Sequence, residues 1–210
     1  LVEYNSDNVF NAVLQGGVSN QSFQREDFFD QPGNAISEKA DLLGGYVKGG
    51  ANYNVNDASN VFFNAGYISR QPQFGAVFPS YANNINEDLE NEEITSVELG
   101  YGYAANNLIF NVNVYSTTWG NRFQTVSLSN ANGVDGTAQF RDIDVRHNGI
   151  EVEGKYYATE KLKLRGMLSL GDWRYTKNFT AELFDGLSTE HPQGEVVVEA
   201  SIAEHLYLAK

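Results

Sequence analysis

Cysteine is absent from this 210-residue chain, proline occurs only 4 times, and the 14 Lys and Arg residues are outnumbered by 27 Asp and Glu residues. Without cysteine the chain has no disulfide, no thiol nucleophile and no cysteine-ligated metal. The formal net charge of -13 argues against a nucleic-acid partner, because phosphate binding needs clustered Lys and Arg. No apolar run approaches the roughly 18 residues of a spanning helix, which excludes a helical membrane protein.

The sequence does contain segments in which apolar and polar residues alternate with a period near two. In residues 94–103, Val97, Leu99 and Tyr101 lie on one face of a predicted strand, and Glu98 and Gly100 lie on the other. The same pattern recurs at residues 43–54, 61–67, 108–114, 150–156 and 162–170, with a first strand near Phe10 and another beginning at Glu195. These segments predict about nine antiparallel strands, the last of them incomplete.

The connections between the predicted strands alternate in length. Short turns are predicted near residues 56–60, 104–107, 158–161 and 203–205, and long polar loops near 24–41, 71–92, 120–146 and 176–194. Within one long loop, Asn132-Gly133 and Asp135-Gly136 predict a small hairpin that joins residues 124–129 to 137–144. Short turns at one end and long loops at the other are typical of an outer-membrane barrel. We therefore predict an all-β, antiparallel up-and-down transmembrane β-barrel, present as an open partial barrel.

Four tyrosines fit the same prediction. They lie close to short turns, on the apolar faces of the predicted strands that would point outward to the membrane: Tyr53, Tyr101, Tyr103 and Tyr156. At such positions in a barrel, aromatic rings occupy the membrane boundary. The alternative is that tyrosine is simply common in strands.

Several segments carry a family likeness. Asn91-Glu92-Glu93, followed by ELGYGY at residues 98–103 and by a partner strand from Phe110 to Trp119, resembles the barrel of TonB-dependent outer-membrane receptors, particularly Bacteroidetes-type members. The segments VFFNAGYISRQP at 61–72, HNGIEVEGK at 147–155 and GDW at 171–173 are also similar to this family. The likeness covers roughly residues 40–175.

The resemblance implies a transport function and no enzyme activity or cofactor. Such receptors lie in the cell outer membrane of Gram-negative bacteria and take up a scarce nutrient, such as a ferric siderophore or another large ligand. The TonB complex supplies the energy by pulling on a plug domain inside a barrel of about 22 strands. The expected partners are outer-membrane lipid, an extracellular small or oligomeric ligand, and the TonB complex.

The chain is expected to be one part of such a receptor. It begins at Leu1, and we find no signal peptide, plug domain or TonB-contacting box, so residues 1–210 are interpreted as a partial barrel domain from the C-terminal half. Contact with TonB would then go through the missing N-terminal part of the parent protein. A passive porin or barrel adhesin and a soluble all-β binding protein are the alternatives, and the sequence does not identify a substrate.

Candidate ligand contacts lie at predicted strand tops and loop bases, which a substrate reaches first. They offer flat aromatic surfaces and two guanidinium groups suited to carboxylate or phosphate: Arg70, Phe74, Phe78, Tyr81, Trp119 and Arg122. The alternative role of these residues is loop packing. The predicted loop near 71–92 is also rich in acidic residues. Their spacing matches no calcium-binding loop, so no metal site is predicted.

A second set of residues is predicted to line a water-filled lumen: Glu98, Asn111, Asn113, Glu151, Glu153, Lys163 and Arg165. Glu151 and Glu153 are about 7 Å apart along a strand, a spacing that invites a glycosidase interpretation. No apolar pocket that would raise a carboxyl pKa is indicated, so no catalytic residue is predicted. If the turn at 158–161 pairs the outward residues of one strand with the outward residues of the next, Glu153 should lie opposite Arg165 and Lys155 opposite Lys163.

Overall fold

The computed structural model describes residues 1–7, 9–28, 35–79, 82–129, 135–185 and 194–198, and most of them are in strands. The strands are β1 (Val2–Ser6), β2 (Phe10–Phe23), β3 (Ala40–Asn56), β4 (Ser59–Arg70), β5 (Glu92–Ala105), β6 (Leu108–Ser129), β7 (Asp135–Tyr157), β8 (Lys163–Tyr175), β9 (Phe179–Asp185) and β10 (Gly194–Val198). One short helix, α1 (Phe74–Val77), lies in the loop between β4 and β5. None of the helices in the described part of the chain is long and apolar enough to cross a membrane.

All ten strands form one antiparallel sheet, in which β1 to β7 each pair with their neighbours along the chain, β7 pairs with both β8 and β9, and β9 pairs with β10. β8 pairs with the C-terminal part of β7, from Val145 to Tyr157, and β9 pairs with its N-terminal part, from Gly136 to Arg141. Together β8 and β9 act as a single interrupted strand, so the ten strands occupy nine positions. The sheet does not close within the described residues, which confirms the predicted open, up-and-down partial barrel.

Three parts of the predicted strand pattern are wrong, and one of them is the long loop predicted near 176–194, because β9 occupies residues 179–185. β1 was not predicted, because its five residues are too few to show a clear alternation. Residues 120–146 are not a separate long loop, since β6 and β7 run through most of them and are 22 and 23 residues long. The small hairpin predicted there does pair, from Gln124 with Phe140 to Ser129 with Asp135, but as a direct extension of the barrel strands. The turn predicted at 203–205 lies outside the described residues.

The predicted pairing across the β7–β8 turn is also wrong, by two residues. Lys155 lies opposite Arg165, Glu153 opposite Met167, and Tyr157 opposite Lys163. The turn closes around a longer connection than expected, and turn length sets the register of a hairpin. The shift is an even number, so every side chain stays on its predicted face.

The register separates the residues onto two faces, which we call the apolar face and the polar face. A continuous row of paired residues on the apolar face runs through Phe10, Tyr53, Val61, Tyr101, Val112, Val152 and Leu168. The polar face carries Asn64 opposite Glu98, Asn113 opposite Glu151, and Asn111 opposite Glu153. Many apolar-face side chains are exposed, Leu99 at 51% among them. Such a surface needs an apolar environment to cover it.

The buried clusters of the described residues lie at the long-loop end of the sheet. One contains Ala40, Val77 and Phe78, and joins the loop after β4 to β3. The other contains Ile143, Val145 and Phe179, with Trp119 and Phe140 packed against it. The long-loop end is therefore the part of the sheet with a second layer of packed residues.

Candidate ligand-binding site

A buried carboxylate organises the long-loop end of the polar face. Glu92, the first residue of β5, is 4% exposed and pairs in register with Arg70, the last residue of β4. The Arg70 guanidinium donates a hydrogen bond to Glu92 Oε2, and Trp119 Nε1 donates to the same oxygen at 3.1 Å. A buried charge is stable only when it is paired and hydrogen-bonded, and these two donors supply that compensation.

Two guanidinium groups lie over the indole ring of Trp119. The Cζ atom of Arg70 is 5.2 Å from the ring centroid, and the Cζ atom of Arg122 is 4.5 Å from it. Both distances fall within the range of cation–π attraction. We call Arg70, Glu92, Trp119 and Arg122 the Arg–Trp cluster.

An irregularity in β6 brings Arg122 to the cluster. The register between β6 and β7 shifts between Trp119 and Arg122, and Asn121 has a left-handed φ of 54°. Residues three apart in a regular strand point to opposite faces, whereas an extra residue in a β-bulge returns the chain to the same face. The backbone N–H of Asn121 is held by Asp144 Oδ1 at 3.2 Å. The bulge is thus the reason that Arg122 and Trp119 can meet.

A cavity of about 370 Å³ opens beside the cluster. Glu92 and Arg122 line it from the sheet, Asn86 and Glu90 from the loop after β4, and Arg141 from β7. Arg141 Nη2 lies 2.7 Å from Glu182 Oε2, and its Nη1 donates to Asn86 Oδ1 at 3.3 Å. The Nε atom of Arg141 is buried and has no hydrogen-bond partner among the described residues. The cavity is therefore lined by residues of both charge signs.

The aromatic candidates of the loop after β4 belong to a different cluster. Phe78 is 1% exposed and packs with Val77 and Ala40, so in this conformation it offers no surface to a ligand. Phe74 is 40% exposed, and its ring centroid lies 5.0 Å from that of Phe78 and 5.7 Å from that of Phe23. Tyr81 lies outside the described residues.

The sequence-predicted ligand set is thus divided. Arg70, Trp119 and Arg122 come together in the Arg–Trp cluster, while Phe74 and Phe78 pack at the base of the loop. The sequence pattern does not identify Glu92 as a member of the site, although this residue belongs to the motif Asn91-Glu92-Glu93 that follows the loop after Arg70. It also missed Arg141 and Glu182, because their meeting depends on the pairing of β7 with β9.

The predicted lumen residues share the polar face. Glu98 accepts hydrogen bonds on both carboxylate oxygens, from Asn113 Nδ2 at 2.8 Å and Asn64 Nδ2 at 3.0 Å. Asn111 Nδ2 donates to Glu153 Oε1 at 3.0 Å. Glu151, Lys163 and Arg165 lie on the same face by register. The described residues contain no group of His, Asp and Glu that could hold a metal ion.

Comparison with known proteins agrees with this architecture. The sequence model of the family described as "TonB dependent receptor-like, beta-barrel" matches residues 4–196. Among solved structures, one named copper transporter OprC has a similar fold, with a TM-score of 0.66 and 12% sequence identity. That match covers 87% of this chain and 31% of the other, so the chain spans less than a third of that transporter's length. No curated protein matches the sequence.

Proposed function

The chain belongs to the TonB-dependent receptor-like β-barrel family, and on that premise we propose that it forms part of the wall of an outer-membrane receptor that imports a scarce nutrient. Members of this family are receptors and transporters rather than enzymes. The nutrient would be a ferric siderophore or another large ligand, and the TonB complex would energise its uptake.

The two-faced sheet is the single observation that carries this proposal. One face has a continuous row of apolar side chains, and the other has hydrogen-bonded Asn and Glu side chains. A soluble sandwich would cover its apolar face with a second sheet, whereas a barrel wall leaves that face to lipid. We propose that the apolar face contacts lipid. The polar face, with Glu98, Asn111, Asn113, Glu151, Glu153, Lys163 and Arg165, would line the lumen.

We further propose that ligand enters at the long-loop end and contacts the Arg–Trp cluster. Its indole ring and its two guanidinium groups form a surface that suits a ligand with planar or anionic groups, such as carboxylates. The neighbouring cavity of about 370 Å³ would take one arm of a larger ligand, with Arg122 and Arg141 as donors. Phe74 and Tyr81 stay predicted contacts, and the buried Phe78 stays one only for a conformation in which the loop opens.

Contact with the TonB complex is proposed for the whole receptor. The chain spans 31% of the length of the similar transporter, so residues outside this chain would supply the plug and the TonB contact. This chain would contribute the passage through which the ligand moves.

Uptake by whole cells tests the proposed function. A panel of ferric hydroxamate, ferric catecholate and cobalamin is offered to cells that carry or lack the receptor gene, with and without a functional TonB complex. We expect uptake of at least one compound to require both. Uptake that needs the receptor but persists without TonB would instead support a passive porin.

A further inference from the structure

A row of apolar side chains interrupts the polar face near its long-loop end. Its members are direct register partners, one on each strand from β3 to β8: Tyr46, Ile68, Ile94, Trp119, Val145 and Tyr175. Ile68 precedes Arg70 by two residues, and residues two apart along a strand lie on the same face. We call this set the inner apolar row.

A cavity of about 330 Å³ opens along this row at β4 and β5. Ile68 and Ile94, which lie opposite each other, line it, and Val13 of β2 adds a third apolar side chain. Gly50 and Gly66 also line the cavity and have no side chains to fill it. The polar residues of its lining all lie on the short-turn side of the two isoleucines: Gln15, Lys48, Asn64, Ser96 and Glu98. The long-loop part of the cavity is therefore suited to an apolar guest.

The inner apolar row joins this cavity to the Arg–Trp cluster. Trp119 belongs to both, and it lies directly opposite Ile94 in the register. Neighbouring strands are about 4.8 Å apart, so Ile68 on β4 is about 10 Å from the strand that carries Trp119. One small ligand can therefore reach both the apolar cavity and the cluster.

Arg122 is the cation of the cluster that has no acidic partner. Its Cζ atom lies 4.5 Å from the centroid of the Trp119 ring. Among the described residues no carboxylate forms an ion pair with Arg122, whereas Arg70 is paired with Glu92. A guanidinium group can donate two parallel hydrogen bonds to a carboxylate. Arg122 is thus suited to an anionic group that lies beside the indole ring.

We propose that the ligand of this receptor is amphiphilic, with an anionic group such as a carboxylate bound by Arg122 and an apolar group held between Ile68 and Ile94. This inference rests on the proposed function and names the class of its ligand. An apolar group would remove the half-exposed isoleucine side chains from water, which is favourable, and a wholly polar ligand would not. The occupant is a ligand rather than another segment of the receptor, because the cavity is continuous with the cluster at the end where a ligand enters.

Binding of simple carboxylates to the purified full-length receptor tests the proposal. The receptor is embedded in phosphatidylcholine nanodiscs, and binding of octanoate, acetate and uncharged octanamide is measured by equilibrium dialysis, with empty nanodiscs as the reference. We expect octanoate to bind about tenfold more tightly than acetate or octanamide. Equal affinities for octanoate and acetate would show that the cavity takes no apolar group, as when another segment of the receptor covers it. Equal affinities for octanoate and octanamide would show that no anion is bound, and either result would overturn the proposal.

Replacement of the two isoleucines tests where the apolar group lies. Ile68→Ser/Ile94→Ser should weaken octanoate binding about fivefold and leave acetate binding within about twofold. Ile68→Leu/Ile94→Leu, which keeps the cavity apolar, should bind both as the unmodified receptor does. The matched control is Phe62→Ser, which removes an apolar side chain from the same face of β4 about 20 Å from Ile68. An equal loss of octanoate binding in this control would overturn the assignment to the cavity.

Replacement of Arg122 tests the anionic contact. Arg122→Gln should weaken binding of both octanoate and acetate about tenfold and leave octanamide binding unchanged. Unchanged octanoate binding in this variant would overturn the proposed role of Arg122. Neither uptake nor the TonB complex enters these measurements, so their outcome is separable from that of the proposed transport function.

Discussion

Glu92 shows how a single residue can determine the arrangement of a site. Its carboxylate is buried, so the charge is stable only because Arg70 and Trp119 donate hydrogen bonds to it. The same hydrogen bonds hold the two donor side chains in place. Trp119 then provides the ring against which Arg70 and Arg122 lie. The cluster is therefore pre-organised before any ligand arrives, and pre-organisation lowers the entropic cost of binding.

Replacement of Trp119 tests the role of the cluster in ligand binding. Trp119→Ala removes the stacking surface for both guanidiniums, each contact being worth roughly 0.5–2 kcal/mol, so affinity should fall about tenfold or more. The measurement is calorimetric titration of the full-length receptor with its transported ligand. Trp173→Ala is the matched control, since Trp173 lies on the same polar face but stacks with His147. An equal loss of ligand affinity in the two variants would show that both tryptophans act only through packing.

The packing of the loop after β4 can be tested at Phe78 and Phe74, because Phe78 is buried and Phe74 is partly exposed. Phe78→Ala empties a fully packed position and should destabilise the loop after β4 by about 3–5 kcal/mol, whereas Phe74→Ala should cost clearly less. Limited proteolysis of the folded receptor reports the difference as a faster cleavage of residues 71–91. If the two variants are cleaved at the same rate, the packing described for Phe78 is incorrect.

At the scale of the strands, the bulge in β6 connects backbone geometry to the site. A left-handed residue other than glycine is tolerated best when it is Asn or Asp, and both Asn121 and Asp142 adopt this conformation on neighbouring strands. Asn121 also donates from its side chain to the carbonyl oxygen of Asn91, at 3.4 Å. The sequence thus carries the residue types that the irregular pairing needs.

Substitution at Asn121 should separate backbone from side-chain effects. Asn121→Gly permits the left-handed φ and should keep ligand affinity within about threefold, whereas Asn121→Val opposes that φ by roughly 1–2 kcal/mol and should weaken binding. The same calorimetric titration provides the measurement. Equal affinities for the Val and Gly variants would show that the bulge does not position Arg122.

The strands differ in how far the sequence could predict them. β3 to β6 and the adjoining parts of β7 and β8 were predicted because their apolar and polar residues alternate over many positions. β1 and β9 are short, and β9 is defined by its pairing with the distant residues 136–141. The Arg–Trp cluster was only partly predicted, because it depends on a bulge and on a buried carboxylate. Neither a bulge nor burial is visible in a periodic pattern.

At the scale of the whole molecule, the described sheet has two edges and one exposed apolar face. β1 and β10 lie at opposite ends of the strand order. Open edges and exposed apolar side chains both favour association with other chains. This chain is therefore suited to completion by further strands and to a lipid environment.

The isolated 210-residue chain should accordingly aggregate in detergent-free buffer and become soluble in detergent micelles. Sedimentation velocity in the two conditions measures this directly. A stable, monodisperse monomer without detergent would favour the soluble β-protein alternative.

If the sheet is a barrel wall, lipid contacts its apolar face and the water of the lumen contacts its polar face. Spin labels at single introduced cysteines in the full-length receptor, reconstituted in vesicles, test it most directly. Suitable positions alternate along paired strands, with Leu99 and Val112 on the apolar face and Glu98 and Asn113 on the polar face. We expect labels at Leu99 and Val112 to be accessible to oxygen dissolved in the bilayer, and labels at Glu98 and Asn113 not to be. Equal oxygen accessibility at all four positions would contradict it.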